Sequence, residues 1–244
     1  MRSDLKVVVV TGSAGGIGQA ITAKLEQRGH LVVGLDRSGC RPESHDRQID
    51  MADTDALTSM AHELAGEYEI GALVHNAAVQ PIGAVGETSV EDWIEALRVN
   101  VLAADVLAGA FRHSMAAQGG AVVVVSSVHA RATTGGITAY ATTKAALEGW
   151  VRSAALDLGP DVRVNAIAPG AVDTAKLREG FDRWGPGEAD GRREILCERT
   201  ALGRIADPSE IAEVVGFLLG AQSAFMTGSI LTIDGGASAR LGSE

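Results

Sequence analysis

Tyr140 and Lys144 stand four residues apart in the run Tyr140-Ala141-Thr142-Thr143-Lys144. On a helix, positions i and i+4 share a face, so the phenol and the ammonium would project together. An ammonium beside a phenol favours the phenolate and lowers an ordinary pKa of about 10, which would make Tyr140 usable as an acid or a base. Leu147, Trp150, Val151, Ala154 and Leu158 recur at helical spacing and predict the helix that carries the pair. Ser127 closes an apolar run, where its hydroxyl could polarise a carbonyl or hold an alcohol. No Gly-x-Ser-x-Gly surrounds it, so a nucleophilic serine is not indicated, and no metal-ligand cluster is visible. A lone Tyr-x-x-x-Lys is also the pattern of an exposed helix face, and its weight comes from what accompanies it.

A second cluster is the glycine turn Thr11-Gly12-Ser13-Ala14-Gly15-Gly16-Ile17-Gly18. Gly12 suits a tight turn, Gly16 lets backbone approach a pyrophosphate, and Gly18 permits close helix-to-strand packing, while the helix N-terminus favours an anion. The spacing departs from the commoner G-x-G-x-x-G, and a glycine turn alone also reads as a plain strand-to-helix connection. Asp36 lies about 18 residues beyond it, where a carboxylate accepts from both hydroxyls of an adenosine ribose. That predicts NAD rather than NADP, whose 2′-phosphate would meet like charge. Arg37 is the complication, since it could pair with a phosphate or with Asp36 itself. Asp50 suits an adenine amino group, or is simply an acidic residue opening a loop. In His75-Asn76-Ala77-Ala78 the small residues would let the chain pass close to a cofactor, or Asn76 would tie neighbouring strands together.

These residues need a scaffold. Short apolar runs at Lys6 to Val10, Leu31 to Leu35, Arg47 to Ile49, Ala72 to His75, Ala121 to Ser126, Arg163 to Ile167 and Ser229 to Ile233 alternate with helical segments beginning near Ile17, Thr54, Glu91, Tyr140 and Ser209. The rhythm predicts an α/β fold: a Rossmann-type doubly wound parallel sheet of about seven strands with helices on both faces. Such sheets bind ligands beyond the carboxyl ends of their strands, where the residues above fall.

A chain of 244 residues with 46% hydrophobic content suits one domain, 1–244. The formal charge of −10 argues against nucleic acid. No apolar stretch is long enough to span a bilayer, and no signal-peptide pattern precedes the first strand, so a cytoplasmic protein without a membrane partner is expected. Cys40 and Cys197 read as reduced thiols.

Taken together the chain resembles the short-chain dehydrogenase/reductase family over nearly its whole length. The resemblance rests on Thr11-Gly12 with Gly16 and Gly18, Asn76-Ala77, Asn100, Ser127, Tyr140 with Lys144, Asn165, Pro169-Gly170 with Thr174, Pro208 with Glu210, and Thr227-Gly228 followed by Asp234-Gly235-Gly236. It implies an NAD-dependent interconversion of a secondary alcohol and a ketone. In it Tyr140 is the acid/base, Lys144 also holds the nicotinamide ribose, Ser127 positions the substrate oxygen, and Asn100 supports a water-linked proton relay. From the residue alone, Asn100 reads as helix packing. Thr174 would hold the carboxamide, Ile17 and Val99 would wall the cleft, and Ser13, Ala78, Met51 and Val172 would complete the cofactor contacts. One departure is His75-Asn76-Ala77-Ala78, where the family usually has Asn-Asn-Ala-Gly. Pairing through helices near Glu91 to Met115 and Tyr140 to Leu158 is implied, giving a homodimer or homotetramer.

Substrate choice should lie in the loop after Asn76 and a longer one from Thr174 to Gly203. Arg178, Arg183, Trp184, Arg192, Arg193 and Arg199 could attract an anion, while Glu179, Asp182, Glu188 and Glu194 favour an ordinary solvated face. Gln80 and His129 resemble substrate-carboxylate contacts of bacterial 3-hydroxybutyrate dehydrogenases. That group has a Trp directly after its Pro-Gly and a Lys three residues before its Tyr, where this chain has Ala171 and Ile137. Two other readings stand beside the main one: an NADPH-dependent 3-oxoacyl reductase, against which Asp36 speaks, and a non-catalytic NAD-responsive binding protein, against which Tyr140 and Lys144 speak.

Overall fold

The valines that open the chain's first strand show how the sheet is buried. In the computed structural model, which describes residues 7–39, 41, 44–182 and 188–239, Val7 and Val9 face one hydrophobic cluster and Val8 and Val10 the other. Successive side chains of a strand point to opposite faces, so four β-branched residues in a row need cover on both sides. Seven strands make up the sheet: β1 (Val7–Thr11), β2 (Leu31–Asp36), β3 (Arg47–Gln48), β4 (Ile70–His75), β5 (Ala121–Val125), β6 (Arg163–Pro169) and β7 (Ile230–Ile233). All pair in parallel, in the order β3-β2-β1-β4-β5-β6-β7. The order reverses direction between β1 and β4, which opens a crevice at their carboxyl ends.

One face is covered by α1 (Gly16–Gln27) and α8 (Pro208–Leu219), through Ile21, Leu25, Ile211, Val215 and Leu218. The other is covered by α2 (Thr54–Glu67), α4 (Ala103–Gln118) and α5 (Thr138–Asp157), through residues such as Leu57, Leu107, Phe111, Leu147 and Val151. The α/β doubly wound sheet expected from the strand and helix rhythm is therefore what forms. Lys6, expected to open the first strand, lies outside the described residues, as do Cys40, Arg183 and Trp184.

Two segments differ from expectation. The single helix anticipated from Glu91 is α3 (Val90–Leu97), a wider turn over Arg98–Leu102, and then α4. In that turn the amide of Ala103 donates to the carbonyl of Arg98, five residues back, so one residue more is accommodated than an α-helix allows. The segment from Thr174 to Gly203, expected as a loop, contains α6 (Ala175–Asp182) and α7 (Glu188–Glu198). Charged residues dominate it, so no apolar stripe betrays its helices. They are held instead by local polar bonds. Thr174 Oγ1 accepts from the Leu177 amide at 3.2 Å, a helix cap. Arg178 and Arg193 then join α6 and α7 to the two oxygens of Asp173.

Among the described residues no helix is long and apolar enough to cross a membrane.

Candidate active site

The glycine turn follows β1 directly. Gly12 has φ +65°, which a side chain would resist, and a Cβ there would lie 2.8 Å from the Ala77 backbone. Gly18 lies against the Gly12 carbonyl so closely that no Cβ fits, which is the close packing expected of it. Gly16 faces Thr174: a Cβ would stand 3.0 Å from its methyl group, across the crevice between α1 and α6. Ser13 is buried and Ile17 half-buried against the α1/α8 layer. The N-terminus of α1 has neither a side-chain cap nor an acidic residue in its first turn. Its amides are thus left for an anion.

Asp36 is held by that same turn. One carboxylate oxygen accepts from the Ala14 amide at 3.0 Å and the other from the Ser38 amide at 2.8 Å. Each oxygen keeps a second lone pair, enough for two ribose hydroxyls. Arg37 does not pair with Asp36; its exposed guanidinium reaches toward Glu95 at 4.0 Å. Asp50 is exposed and accepts from the Ala52 amide at 2.8 Å, while Met51 beside it is buried in the core. Asn76 ties elements together: its side-chain amide donates to the carbonyls of Gly12 at 3.0 Å and Thr11 at 3.3 Å. Thr11 Oγ1 in turn accepts from the amides of Asn76 and Ala77, both at 3.0 Å. On the far side Gly170, after Pro169, donates to the Ile233 carbonyl at 2.9 Å, and Val172 is buried and bridged to Ala206. Gly12, Gly16, Asp36, Asn76 and Thr174 thus line one crevice whose free amides, paired carboxylate and missing Cβ atoms fit a nicotinamide dinucleotide.

The reacting groups meet at the next strand ends. Tyr140 and Lys144 share the inner face of α5, with the Lys144 Nζ 5.7 Å from the centre of the Tyr140 ring. Lys144 is buried and donates to the Val125 carbonyl at 2.7 Å. Ser127 begins a short helical turn, Val128–Ala130, and its Oγ accepts from the His129 amide at 3.2 Å. Its hydroxyl also lies near enough to the Tyr140 phenol to act on it.

The electrostatics differ from the simple expectation. Burial pushes Tyr140 above the usual phenol value, and the Ser127 hydroxyl is what pulls it back. Lys144 does not lower Tyr140 as anticipated, because the same burial lowers the lysine itself, to about 7, with help from the charge of Lys176. A lysine that is only partly charged at neutral pH is a weak electrostatic partner for a phenolate.

Asn100 lies in the wide turn, fully buried. Its Oδ1 accepts from the Val79 amide at 2.9 Å, and its Nδ2 donates to the Val79 carbonyl at 3.0 Å and to Thr143 Oγ1 at 2.9 Å. Both Nδ2 hydrogens and one Oδ1 lone pair are spent on packing bonds, in line with the reading from the residue alone. Gln80 is exposed. His129 stands edge-on to Tyr140, ring centres 6.1 Å apart, with Nδ1 3.2 Å from Thr133 Oγ1, and burial lowers its pKa.

Lys176 and Thr143, which the sequence did not single out, and His75, a departure from the family pattern, also gather here. Lys176 Nζ reaches from α6 to the Ala78 carbonyl at 3.3 Å, and Thr143 holds Asn100. His75 is fully buried, bonded to Thr11 Oγ1 at 3.0 Å. Its replacement of the customary Asn was the available signal. The arginines of α6 and α7 that could have drawn an anion are committed to Asp173 in the cases of Arg178 and Arg193.

The chain is similar to known proteins over nearly its whole length. Residues 12–238 match the family described as Enoyl-(Acyl carrier protein) reductase. The chain is 32% identical to the meso-2,3-butanediol dehydrogenase of Serratia marcescens, over 98% of this chain and 97% of that one. It is 31% identical to the 3-oxoacyl-[acyl-carrier-protein] reductase FabG of Thermotoga maritima, over 97% and 99%. Among solved structures, the ligand-free aldohexose dehydrogenase of Thermoplasma acidophilum superposes with a TM-score of 0.93 at 29% identity, covering 100% and 99% of the two chains.

Proposed function

We propose, from the premise that this chain belongs to the short-chain dehydrogenase/reductase family, that it interconverts a small secondary alcohol and its ketone with NAD preferred and Tyr140 as acid/base. As a member of that family it is an NAD(P)-dependent oxidoreductase acting on CH–OH groups. The observation that carries the finer reading is the Ser127 hydroxyl on the Tyr140 phenol, with Lys144 on the same helix face, beside the crevice of Asp36 and the glycine turn.

The bound cofactor supplies the hydride acceptor or donor. In the oxidative direction Ser127 holds the substrate hydroxyl and Tyr140, as phenolate, takes its proton while the carbon loses hydride; reduction runs the same path backwards. Lys144, 5.7 Å from the ring centre, adds only the weak support that its lowered pKa allows. Gly12, Gly16 and the N-terminus of α1 would hold the pyrophosphate, Asp36 the adenosine ribose, and Thr174 and Lys144 the nicotinamide end. NAD is favoured because the Asp36 charge is not offset by Arg37. The same argument disfavours the NADPH-dependent 3-oxoacyl reductase reading. A neutral His129 beside Tyr140 would offer a carboxylate no charge of its own, which supports an uncharged alcohol over a hydroxy acid. The expected compartment is the cytoplasm, in keeping with the free thiol of Cys197. Leu102, in the wide turn before α4, and Leu156, on α5, are left exposed and support association into a homodimer or homotetramer through these helices, a state that sedimentation measures.

The test is titration with NADH and NADPH, followed by a screen of secondary alcohols and ketones with Tyr140→Phe as control. Tighter NADH binding, with turnover falling about a hundredfold or more in a variant that still binds NADH, is the expected result. NADPH preference would overturn the reading of Asp36, and turnover untouched by Tyr140→Phe would overturn the acid/base assignment.

A further inference from the structure

Glu148 is a buried carboxylate with no place in the chemistry described so far. It lies four residues beyond Lys144 and eight beyond Tyr140, so α5 carries all three on one stripe. Its side chain is 6% exposed. A buried charge is costly, and an apolar residue of similar volume would fill the same place at less expense. What it touches is specific. Oε2 accepts from Arg131 Nε at 3.0 Å, and Oε1 lies 3.2 Å from Ser126 Oγ, which is also 3.4 Å from the Lys144 carbonyl. Ser126 directly precedes the short turn that begins at Ser127, and Arg131 closes it, its amide donating to Val128 at 3.0 Å. Both ends of the turn that carries Ser127 and His129 are therefore fastened to one carboxylate on the helix that carries Tyr140.

We propose that Glu148 is a positioning residue for the reaction: bound to Ser126 on one side and Arg131 on the other, it sets the Ser127 turn over Tyr140 and so fixes the distance between the two hydroxyls. The inference rests on the acid/base geometry proposed above, but not on the identity of cofactor or substrate. Tyr140 is faced by Ser127 and His129 from the turn and by Lys144 from its own helix, and Lys176 of α6 acts on Lys144. Displacing the Ser127 hydroxyl removes the influence that favours the phenolate.

The chain has two tyrosines, Tyr68 and Tyr140. In a Tyr68→Phe background the ultraviolet absorbance of the phenolate therefore reports Tyr140 alone, without any turnover. Ser127→Ala, Glu148→Gln and Arg131→Met are each expected to raise the titration midpoint by about half to one pH unit, while Arg131→Lys leaves it near the parent. Added to Ser127→Ala, the Glu148 and Arg131 changes should produce no further shift. A pure charge effect would look different: Glu148→Gln would lower the midpoint and Arg131→Met would raise it. Shifts of opposite sign, shifts that persist in full in the Ser127→Ala background, or no shift where Ser127→Ala gives one would overturn the proposal. If Ser127→Ala itself leaves the midpoint unchanged, the acid/base geometry fails along with it. Should Glu148→Gln not fold, as circular dichroism would show, the half-exposed Arg131 variants decide the matter.

Discussion

Asp36 shows how a single residue acquires a role from its neighbours. Its carboxylate is an ordinary surface group until the Ala14 and Ser38 amides fix both oxygens toward the crevice. Fixing them in advance spares a bound ribose the cost of ordering the side chain. Asp36→Ala should weaken NADH binding about tenfold or more, the worth of hydrogen bonds to a charged acceptor, and should leave NADPH binding unchanged or improved. Calorimetric titration with both nucleotides checks this, and an equal loss for the two would remove Asp36 from cofactor choice. Tyr140 and Lys144 make the complementary point. Their side chains can do acid/base chemistry by type, yet burial moves the phenol up and the ammonium down to about 7. The tuning back toward neutrality falls to Ser127 and to whatever occupies the crevice.

At the scale of elements, the wide turn between α3 and α4 is the clearest device. An extra residue there places Asn100 where its amide can clasp the backbone of Val79, after β4, and the hydroxyl of Thr143, on α5. Three elements that carry site residues are joined by one buried side chain. Truncation would leave the half-buried Val79 groups without these partners. Asn100→Ala is thus expected to cost about 2 kcal/mol or more. Thr143→Val should cost less, since Asn100 keeps both Val79 bonds. Urea unfolding of the two variants distinguishes them, and equal destabilisation would mean that Asn100 does not clasp these elements. α6 illustrates the opposite case, a helix held by a threonine cap and an arginine pair rather than by an apolar stripe.

At the scale of the whole molecule, a fully buried titratable group sits where the two halves of the sheet meet. His75, at the end of β4, is fully buried and holds Thr11 at the end of β1. Burial, followed by the nearby charge of Lys144, lowers its pKa from 6.5 to about 3. The folded state therefore resists a proton that the unfolded chain accepts below 6.5. Stability is fully present above that pH and is lost as pH falls toward 3, by up to about 5 kcal/mol. The strongly bonded carboxylate Asp46, held at about 2 by Arg41 and by backbone amides against the cost of burial, contributes its loss only below about pH 4. The window from 6.5 to 4 thus belongs mainly to His75. His75→Asn should flatten the stability profile across it, as measured by urea midpoints at stepped pH. Parallel profiles for parent and variant would show that the acid sensitivity arises elsewhere.

The sequence by itself determined the architecture and the chemical cast. Four valines in a row, a glycine turn, a carboxylate at the end of the next strand and a Tyr-Lys pair at helical spacing are local patterns, and local sterics and periodicity are enough to read them. Seven strands, the crevice at the β1/β4 reversal and the meeting of Tyr140, Lys144 and Ser127 follow from those patterns. Tertiary structure decided the rest. Whether Asn76 binds or braces, which partners Asn100 clasps, and that Glu148 fastens the Ser127 turn depend on residues 17 to 65 positions away in the chain. The helices of α6 and α7 were hard to read because they pack on each other rather than on a face of the sheet, and charged residues make up most of them. The direction of the Lys144 shift was hidden for a related reason: the energy of a charge depends on how much water surrounds it, and only the folded chain sets that.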